Sequence, residues 1–218
     1  TVPTRVGSHL ELRSRMEITW VGGSCFRIRG REASIVTDPH TSKETKKSAF
    51  PKADLVVVTD HTVAENAATC VRPNHRESPP FVAFGPGEYD VRGLYLHGIS
   101  DHDPPANTST IYAMDIDRVT LAFFAQPSLT FENEILDELG TIQVLIVNAD
   151  TGIEQLTALI SRIEPNIVLP FGNSATRTWM EVAQQLTEDQ LTSEASLNLT
   201  ASTLPEPVTT CILTERAA

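Results

Sequence analysis

Short apolar runs separated by turn residues fill the first half of the chain. The run 54–59, DLVVVT, is rich in β-branched residues and is typical of a strand buried on both faces. Glycines at Gly22-Gly23, Gly85-Pro86-Gly87 and Gly93 mark turns between such runs. The pattern predicts strands at 17–21, 24–29, 33–37, 54–59, 81–84, 89–91 and 94–99, a hairpin of 107–115 with 119–125, and a short helix at 63–70.

The second half of the chain alternates strands with helices. Segment 153–163 has apolar residues at 153, 156, 159, 160 and 163, which form the apolar stripe of a helix. The remaining predictions are helices at 130–139 and 174–186 and strands at 142–148, 167–171, 197–200 and 208–214. A strand-rich half followed by strand–helix repeats predicts an α/β fold, an αββα sandwich of two sheets with helices on the outer faces.

The length of 218 residues and a hydrophobic content of 40% are enough for one large domain, which we expect to span residues 16–218. Residues 1–15 are polar and without a period. We expect them to be a disordered tail, or one that is not native to the protein, with Met16 as the natural start.

The formal net charge of −11 describes an acidic molecule. Because an acidic surface repels phosphate backbones, we expect no nucleic-acid partner unless a local basic patch exists. The densest lysine cluster, 43–47 (KETKK), is small and is typical of a solvated loop. No apolar run reaches the length of a membrane span, so no membrane partner is expected either.

Three cysteines, Cys25, Cys70 and Cys211, lie far apart and form no CxxC pair. Cys25 and Cys211 fall within apolar runs, so we expect buried thiols and not nucleophiles. Ser24 is not expected to be a nucleophile either, because the segment has no Gly-x-Ser-x-Gly elbow. The cysteine usage suits a reducing compartment and predicts a cytoplasmic protein.

Several stretches in order along the chain resemble one family of known fold. They are 18–28 (ITWVGGSCFRI), 35–39 (IVTDP), 53–59 (ADLVVVT), 85–91 (GPGEYDV), 107–112 (NTSTIY), 138–146 (ELGTIQVLI) and 164–170 (EPNIVLP). The chain resembles the metallo-β-lactamase-fold superfamily, in its branch of small proteins related to ascorbate-phosphate lactonase and to predicted zinc-dependent hydrolases. The resemblance implies two mixed β-sheets with helices on the outer faces.

The resemblance also implies a metal-binding motif, His-x-His-x-Asp-His, in the loop after strand 54–59. Zinc needs that density of imidazole and carboxylate donors, with one position left for a reactive water. An ungapped match places Asp60, Thr62, Ala64 and Glu65 at the four ligand positions. Ala64 has no donor atom and Thr62 offers only a neutral hydroxyl, so the motif is degenerate.

The other ligand positions implied by the resemblance are altered as well. The family's Gly-His-Ser is Gly22-Gly23-Ser24, the expected bridging aspartate is replaced by Ala125-Gln126-Pro127, and the last histidine is replaced by Phe171-Gly172-Asn173. Asp38 matches a family aspartate that supports the metal shell. These changes predict a lost dinuclear site with no catalytic residues and no bound cofactor.

Two functions stay open at this point. The first is a non-catalytic domain that binds an unidentified protein or small ligand, or that assembles into a homo-oligomer. The second is a divergent hydrolase with a reduced mononuclear site for zinc or manganese. Its candidate ligands are Asp38, Asp60, His61, Glu65 and His102, with His40, His97, Asp101 and Asp103 as further donors.

Two local motifs have simpler interpretations. Gly85-Pro86-Gly87 is typical of a turn that needs positive φ, so we expect it to serve backbone geometry. Asp150-Thr151-Gly152 precedes the helix 153–163 and predicts an N-cap for that helix.

Overall fold

Two β-sheets stacked face to face form the body of the protein. The computed structural model describes residues 15–40, 49–60, 64–75, 78–100, 109–126, 133–173, 178–187, 193–206 and 208–216. Within these residues, one sheet has six strands and the other has seven. The side chains between the sheets form one continuous hydrophobic core. The structure therefore has the layered architecture that the sequence predicts.

The first sheet is mixed. Its strands, in spatial order, are β15 (Leu197–Leu199), β1 (Met16–Gly22), β2 (Cys25–Arg29), β3 (Ser34–Thr37), β5 (Leu55–Val58) and β7 (Phe81–Phe84). Strands β3, β5 and β7 run parallel, and the others pair antiparallel. All four side chains of β5 are buried, as its β-branched sequence predicts for a strand covered on both faces.

The second sheet is also mixed. Its strands, in spatial order, are β16 (Thr209–Thr210), β13 (Ile167–Phe171), β12 (Val144–Asn148), β11 (Val119–Phe124), β10 (Thr110–Ile116), β9 (Leu94–Ser100) and β8 (Gly87–Val91). Strands β11, β12, β13 and β16 run parallel, and β8 to β11 form an antiparallel meander. Two short parallel pairs complete the sheet structure: β4 (Lys52–Ala53) with β6 (Arg72–Pro73), and β14 (Ser193–Glu194) with β17 (Ile212–Leu213).

Helices lie outside the two sheets. They are α1 (Ala64–Ala67), α2 (Asn133–Leu139), α3 (Ile153–Ile163) and α4 (Thr178–Gln185), with 3-10 turns at Ala68–Cys70 and Ala149–Thr151. Ala67 of α1 packs in a second hydrophobic cluster on the outer face of the first sheet, and α2 contacts β9 of the second sheet. No helix among the described residues is long and apolar enough to cross a membrane.

Helix α3 shows how the sequence sets these boundaries. Leu156 and Leu159 of its apolar stripe are fully buried. The helix ends at Ile163. Its C-cap Glu164 has a left-handed φ of 49° and donates its N–H to the Ile160 carbonyl. Pro165 follows and cannot continue the helix.

Candidate functional site

The carboxyl ends of the parallel strands from both sheets meet at one end of the sandwich, which we call the carboxyl edge. It comprises Asp38 after β3, Thr59 after β5, Ala125 after β11, Asn148 at the end of β12 and Asn173 after β13. Ligand sites in sheets with parallel strands form at this end, where loops leave the strands. The residues that the resemblance singles out within the described part of the chain lie along this edge.

Hydrogen bonds join the ends of the strands along the carboxyl edge, both between the two sheets and within the second sheet. Thr110 begins β10 and donates its N–H to the Thr59 carbonyl at 3.2 Å. The buried Tyr112 hydroxyl donates to the Val58 carbonyl at 3.1 Å. On the other side, the Asn148 amide donates to the Ala125 carbonyl at 3.0 Å. Two of these bonds therefore join the first sheet to the second at this edge, and the third joins neighbouring strand ends within the second sheet.

Asp38 is the most deeply buried carboxylate of the edge, with 8% of its surface exposed. It has a φ of 36°, a conformation that non-glycine residues adopt rarely. Its Oδ1 accepts the Thr59 N–H at 2.8 Å, and its Oδ2 accepts the Thr59 hydroxyl at 2.7 Å. The carboxylate thus joins the ends of two neighbouring strands.

Burial raises the pKa of Asp38 to about 6. Hydrogen bonds from Thr59 and Ser24 favour the charged form and oppose this shift, whereas the neighbouring charge of Asp60 adds to it. Asp38 therefore exchanges its proton near neutral pH. Both of its oxygens accept hydrogen bonds from Thr59.

The five candidate metal ligands are described to different extents. Asp38 and Asp60 follow adjacent parallel strands, so the structure brings these two together at the carboxyl edge. His61 and His102 lie outside the described residues, and of Glu65 only the backbone in α1 is described. Within the described ranges no three His, Cys, Asp or Glu side chains are placed to hold a metal ion. The proposed ligand set as a whole stays a prediction.

The remaining donors behave differently from one another. His40 lies beside the Gly22-Gly23 turn, with its Nδ1 3.4 Å from the Asp38 carbonyl oxygen. His97 points to the outer face of the second sheet, where its Nε2 lies 3.1 Å from Glu138 of α2. His97 is therefore not part of the carboxyl edge. Asp101 and Asp103 lie outside the described residues.

Gly23 occupies the position of the early histidine that the resemblance implies, and Gly172 lies within Phe171-Gly172-Asn173, the segment that replaces the last one. A Cβ on Gly172 would lie 2.6 Å from both Cβ and Cγ of Trp179, so α4 leaves no room for a side chain there. At Gly23, where φ is 52°, a Cβ would lie 3.5 Å from His40 Cε1. The Gly23 carbonyl also accepts the Trp20 indole N–H at 2.7 Å.

An aromatic cluster lies directly beneath these two glycines. The rings of Trp20 and Trp179 meet edge to face with centroids 5.5 Å apart, and Phe26 contacts Trp20, Phe123 and Phe171. Trp20 extends toward Gly23 and Trp179 packs on Gly172. The side chains beneath the carboxyl edge at Gly23 and Gly172 are therefore apolar.

The Cys25 thiol is inert as a nucleophile. It is buried with Val36 and Val56 in the second hydrophobic cluster, on the outer face of the first sheet. Burial raises the pKa of the thiol far above its ordinary value, and the charge of Asp38 raises it further. A thiol that stays protonated at neutral pH cannot attack a substrate. The expectation that Cys25 is structural agrees with this environment.

The Gly85-Pro86-Gly87 turn serves backbone geometry, as its sequence predicts. Gly85 and Gly87 have positive φ. The hydroxyls of Tyr89 and Tyr112 both donate to the Gly85 carbonyl, at 3.0 and 3.3 Å. A Cβ on Gly98 would lie 2.6 Å from the same carbonyl oxygen, so the turn packs against a position that only glycine fits.

The segment Asp150-Thr151-Gly152 supplies the N-cap of α3, as its sequence predicts. The N-cap of α3 is Gly152, which makes no side-chain capping bond. The Asp150 carboxylate instead accepts the Asn173 N–H at 2.9 Å, which connects the ends of β12 and β13. The local sequence therefore predicts where α3 begins, whereas the role of the Asp150 side chain depends on a partner 23 residues away.

Sequence reasoning also missed three residues that organise the carboxyl edge: Thr59, Asn148 and Asp150. Each makes its decisive contact with a residue at least 21 positions away. The only local signal is that a polar residue follows a buried strand, which is common in parallel sheets.

Comparison with known proteins agrees with this architecture. A family described as the β-lactamase superfamily domain matches residues 17–172. No curated protein matches the chain. A structure from Thermotoga maritima, named as a zinc-dependent hydrolase of the metallo-β-lactamase superfamily, superposes with a TM-score of 0.73 at 19% identity, over 91% of this chain and 98% of the other.

Two further structures superpose on the chain. One is named as a metal-dependent hydrolase from Parabacteroides distasonis, with a TM-score of 0.61 and 14% identity over 91% of this chain and 94% of the other. The second is a metallo hydrolase from Ignicoccus hospitalis, with a TM-score of 0.56 and 16% identity over 85% and 97%. At these identities the likeness establishes the fold.

Proposed function

This chain belongs to the metallo-β-lactamase superfamily, and from that premise we propose that it is a non-catalytic member that uses the fold for binding or assembly. A shared fold does not by itself carry a shared chemistry. The proposal therefore depends on the residues at the carboxyl edge.

The observation that carries the proposal is the packing at Gly172. The family implies a zinc ligand in the loop after β13, but Trp179 occupies the space into which a side chain from residue 172 would extend. The next residue, Asn173, is exposed and offers only a neutral amide, with its N–H bonded to Asp150. Amides are poor ligands for zinc, which prefers imidazole, thiolate and carboxylate.

The donor chemistry elsewhere supports the same conclusion. Gly23 has no side chain, and Gln126 stands where the bridging aspartate of a dinuclear site is expected. In the loop after β5, Ala64 and Thr62 take two of four ligand positions. The residues present do not fit a dinuclear zinc site, and we derive no catalytic step through one.

The contacts of Asp38 are compatible with the proposal. A carboxylate can orient a metal-bound imidazole, or it can connect segments of the protein itself. In this protein Thr59 donates to both oxygens of Asp38. The residue is therefore suited to connecting β3 with β5, a structural role that needs no metal.

The competing function is a divergent hydrolase with one zinc or manganese ion held by Asp38, Asp60, His61, Glu65 and His102. A turnover screen decides between the two. Purified protein is incubated with Zn²⁺ or Mn²⁺ and with phosphodiester, lactone and thioester substrates, beside an Asp60→Ala/His61→Ala/Glu65→Ala variant. We expect equal background rates. Turnover by the wild type that the variant lacks would contradict the non-catalytic proposal.

We also propose that the protein is cytoplasmic. Cys25, Cys70 and Cys211 are all free thiols, which suits a reducing compartment. Fractionation of cells with detection of the protein by antibody would test it, and recovery outside the cytoplasmic fraction would contradict the proposal.

A further inference from the structure

Positive charge gathers on the outer face of the first sheet, although the chain as a whole carries a net charge of −11. We call this surface the basic face; it comprises Arg27, Arg29, Lys52, Arg72 and Arg216. Arg27 and Arg29 alternate along β2 with Phe26 and Ile28, which point into the core, so both arginines point outward.

Direct contacts hold the basic face together. The Arg27 Nε donates to the Lys52 carbonyl at 3.0 Å, and Lys52 is level with Arg72 in the β4–β6 pair. Arg216 reaches the same face from the other side, since its N–H donates to the Trp20 carbonyl on β1. The five side chains come from four separate segments that the fold brings together.

These charges are crowded. Burial and the charge of Arg29 lower the pKa of Arg27, with a further contribution from Arg216, whereas the charges of Glu17 and Asp54 oppose this shift. Glu17 lies 3.9 Å from Arg29, and the Asp54 carboxylate is buried and bonded to Ser34 and Asn74. Like charges held this close favour an anionic surface opposite them.

A complementary surface lies on the opposite side of the same molecule. We call it the acidic face; it comprises Glu88, Asp90, Asp115 and Glu138. The register places Glu88 beside His97, and both Asp90 and Asp115 beside Tyr95, on the outer face of the second sheet. Glu138 of α2 joins them through its ion pair with His97.

We infer that copies of this protein associate head to tail, with the basic face of one copy on the acidic face of the next. The inference rests on the proposed function, and it assigns the assembly surface. The two faces point in opposite directions from the sandwich, so the contact is heterologous and generates an open chain or a ring. At about 0.15 M salt the Debye length is about 8 Å, so facing charges interact while the distant net charges are screened.

Neutralising one face at a time tests this arrangement. The first variant is Arg29→Gln/Lys52→Gln/Arg216→Gln, and the second is Glu88→Gln/Asp90→Asn/Asp115→Asn; all six side chains are exposed. A matched control, Arg31→Gln/Arg118→Gln/Arg162→Gln, removes three exposed positive charges from other surfaces. Circular dichroism verifies that each variant is folded.

Sedimentation velocity at about 0.15 M NaCl gives the readout. We expect the wild type and the control to assemble with concentration, and each face variant alone to lose about tenfold or more in apparent affinity. An equimolar mixture of the two face variants should give a 1:1 heterodimer, because each keeps the face that its partner needs.

Several results would overturn the inference. They are a wild type that stays monomeric, assembly that survives neutralisation of either face, and a mixture that forms no heterodimer. Binding of a fluorescent oligonucleotide to a monomer through the basic face would assign that face to nucleic acid instead. Assembly together with metal-dependent turnover would overturn the proposed function and leave the inference standing, whereas a monomer without turnover would do the reverse.

Discussion

Replacing Asp38 by asparagine tests whether this residue acts as a buried connector between strands. Asparagine keeps an oxygen for the Thr59 N–H, and its amide can donate to the Thr59 hydroxyl, which then turns to accept. The substitution removes the ionisable group and retains the shape of the side chain. The change in the free energy of unfolding therefore measures how much the buried charge destabilises the fold.

The magnitude follows from the pKa. The folded protein holds the Asp38 proton more tightly than the unfolded chain, so the charge destabilises the fold as pH rises through the folded pKa. Raising the pKa from 3.8 to about 6 lowers the unfolding free energy by about 3 kcal/mol between about pH 4 and pH 7, at about 1.4 kcal/mol per pKa unit. The Asp38→Asn variant lacks this pH-dependent decrease in the unfolding free energy, because asparagine does not ionise.

Urea unfolding of both proteins across this pH range measures the effect. We expect the stability of Asp38→Asn relative to the wild type to increase by about 2–3 kcal/mol from acid to neutral pH. Asp90→Asn removes an exposed carboxyl from the second sheet and controls for the loss of one negative charge. A difference between Asp38→Asn and the wild type that does not change with pH would refute the reasoning.

Three further substitutions test the packing of the carboxyl edge by chemical denaturation. Gly172→His should lower the free energy of unfolding by about 2 kcal/mol or more, because its Cβ would meet Trp179. Asn173→His at the exposed neighbouring position should change it by about 0.5 kcal/mol at most, and equal losses would contradict the packing argument. Gly98→Ala should cost about 2–3 kcal/mol, since its Cβ would lie 2.6 Å from the Gly85 carbonyl oxygen, and a neutral result would show that the turn moves freely. Tyr112→Phe should cost about 1–2 kcal/mol by leaving the buried Val58 carbonyl without its donor, and an unchanged denaturation midpoint would refute this role for the hydroxyl.

The secondary structure was largely predictable because its signals are local. Helix 153–163 and strand 167–171 match the observed elements, since an apolar stripe and a proline define their limits. The strand predicted at 54–59 is shorter in the structure, Leu55–Val58, and at its end the Thr59 N–H donates to the Asp38 carboxylate and not to the backbone of a neighbouring strand. Ends of elements thus depend on distant partners that a local pattern does not contain.

The candidate site was predictable only in part for the same reason. The position of Asp38 at the edge followed from the family resemblance, but Thr59 as its partner and Trp179 as the residue that fills the space at Gly172 are long-range contacts. The basic face was hidden because its residues are spread from position 27 to position 216. The sequence shows no basic cluster there, and only the fold collects these charges on one surface.

Metal content tests the central claim most directly. Protein purified without chelator is dialysed against Zn²⁺ or Mn²⁺, then against metal-free buffer, and analysed by elemental mass spectrometry. The Asp60→Ala/His61→Ala/Glu65→Ala variant serves as the background. We expect both proteins to retain the same trace, well below one ion per chain. One or two ions per chain in the wild type alone would contradict the account and assign a working metal site to the carboxyl edge.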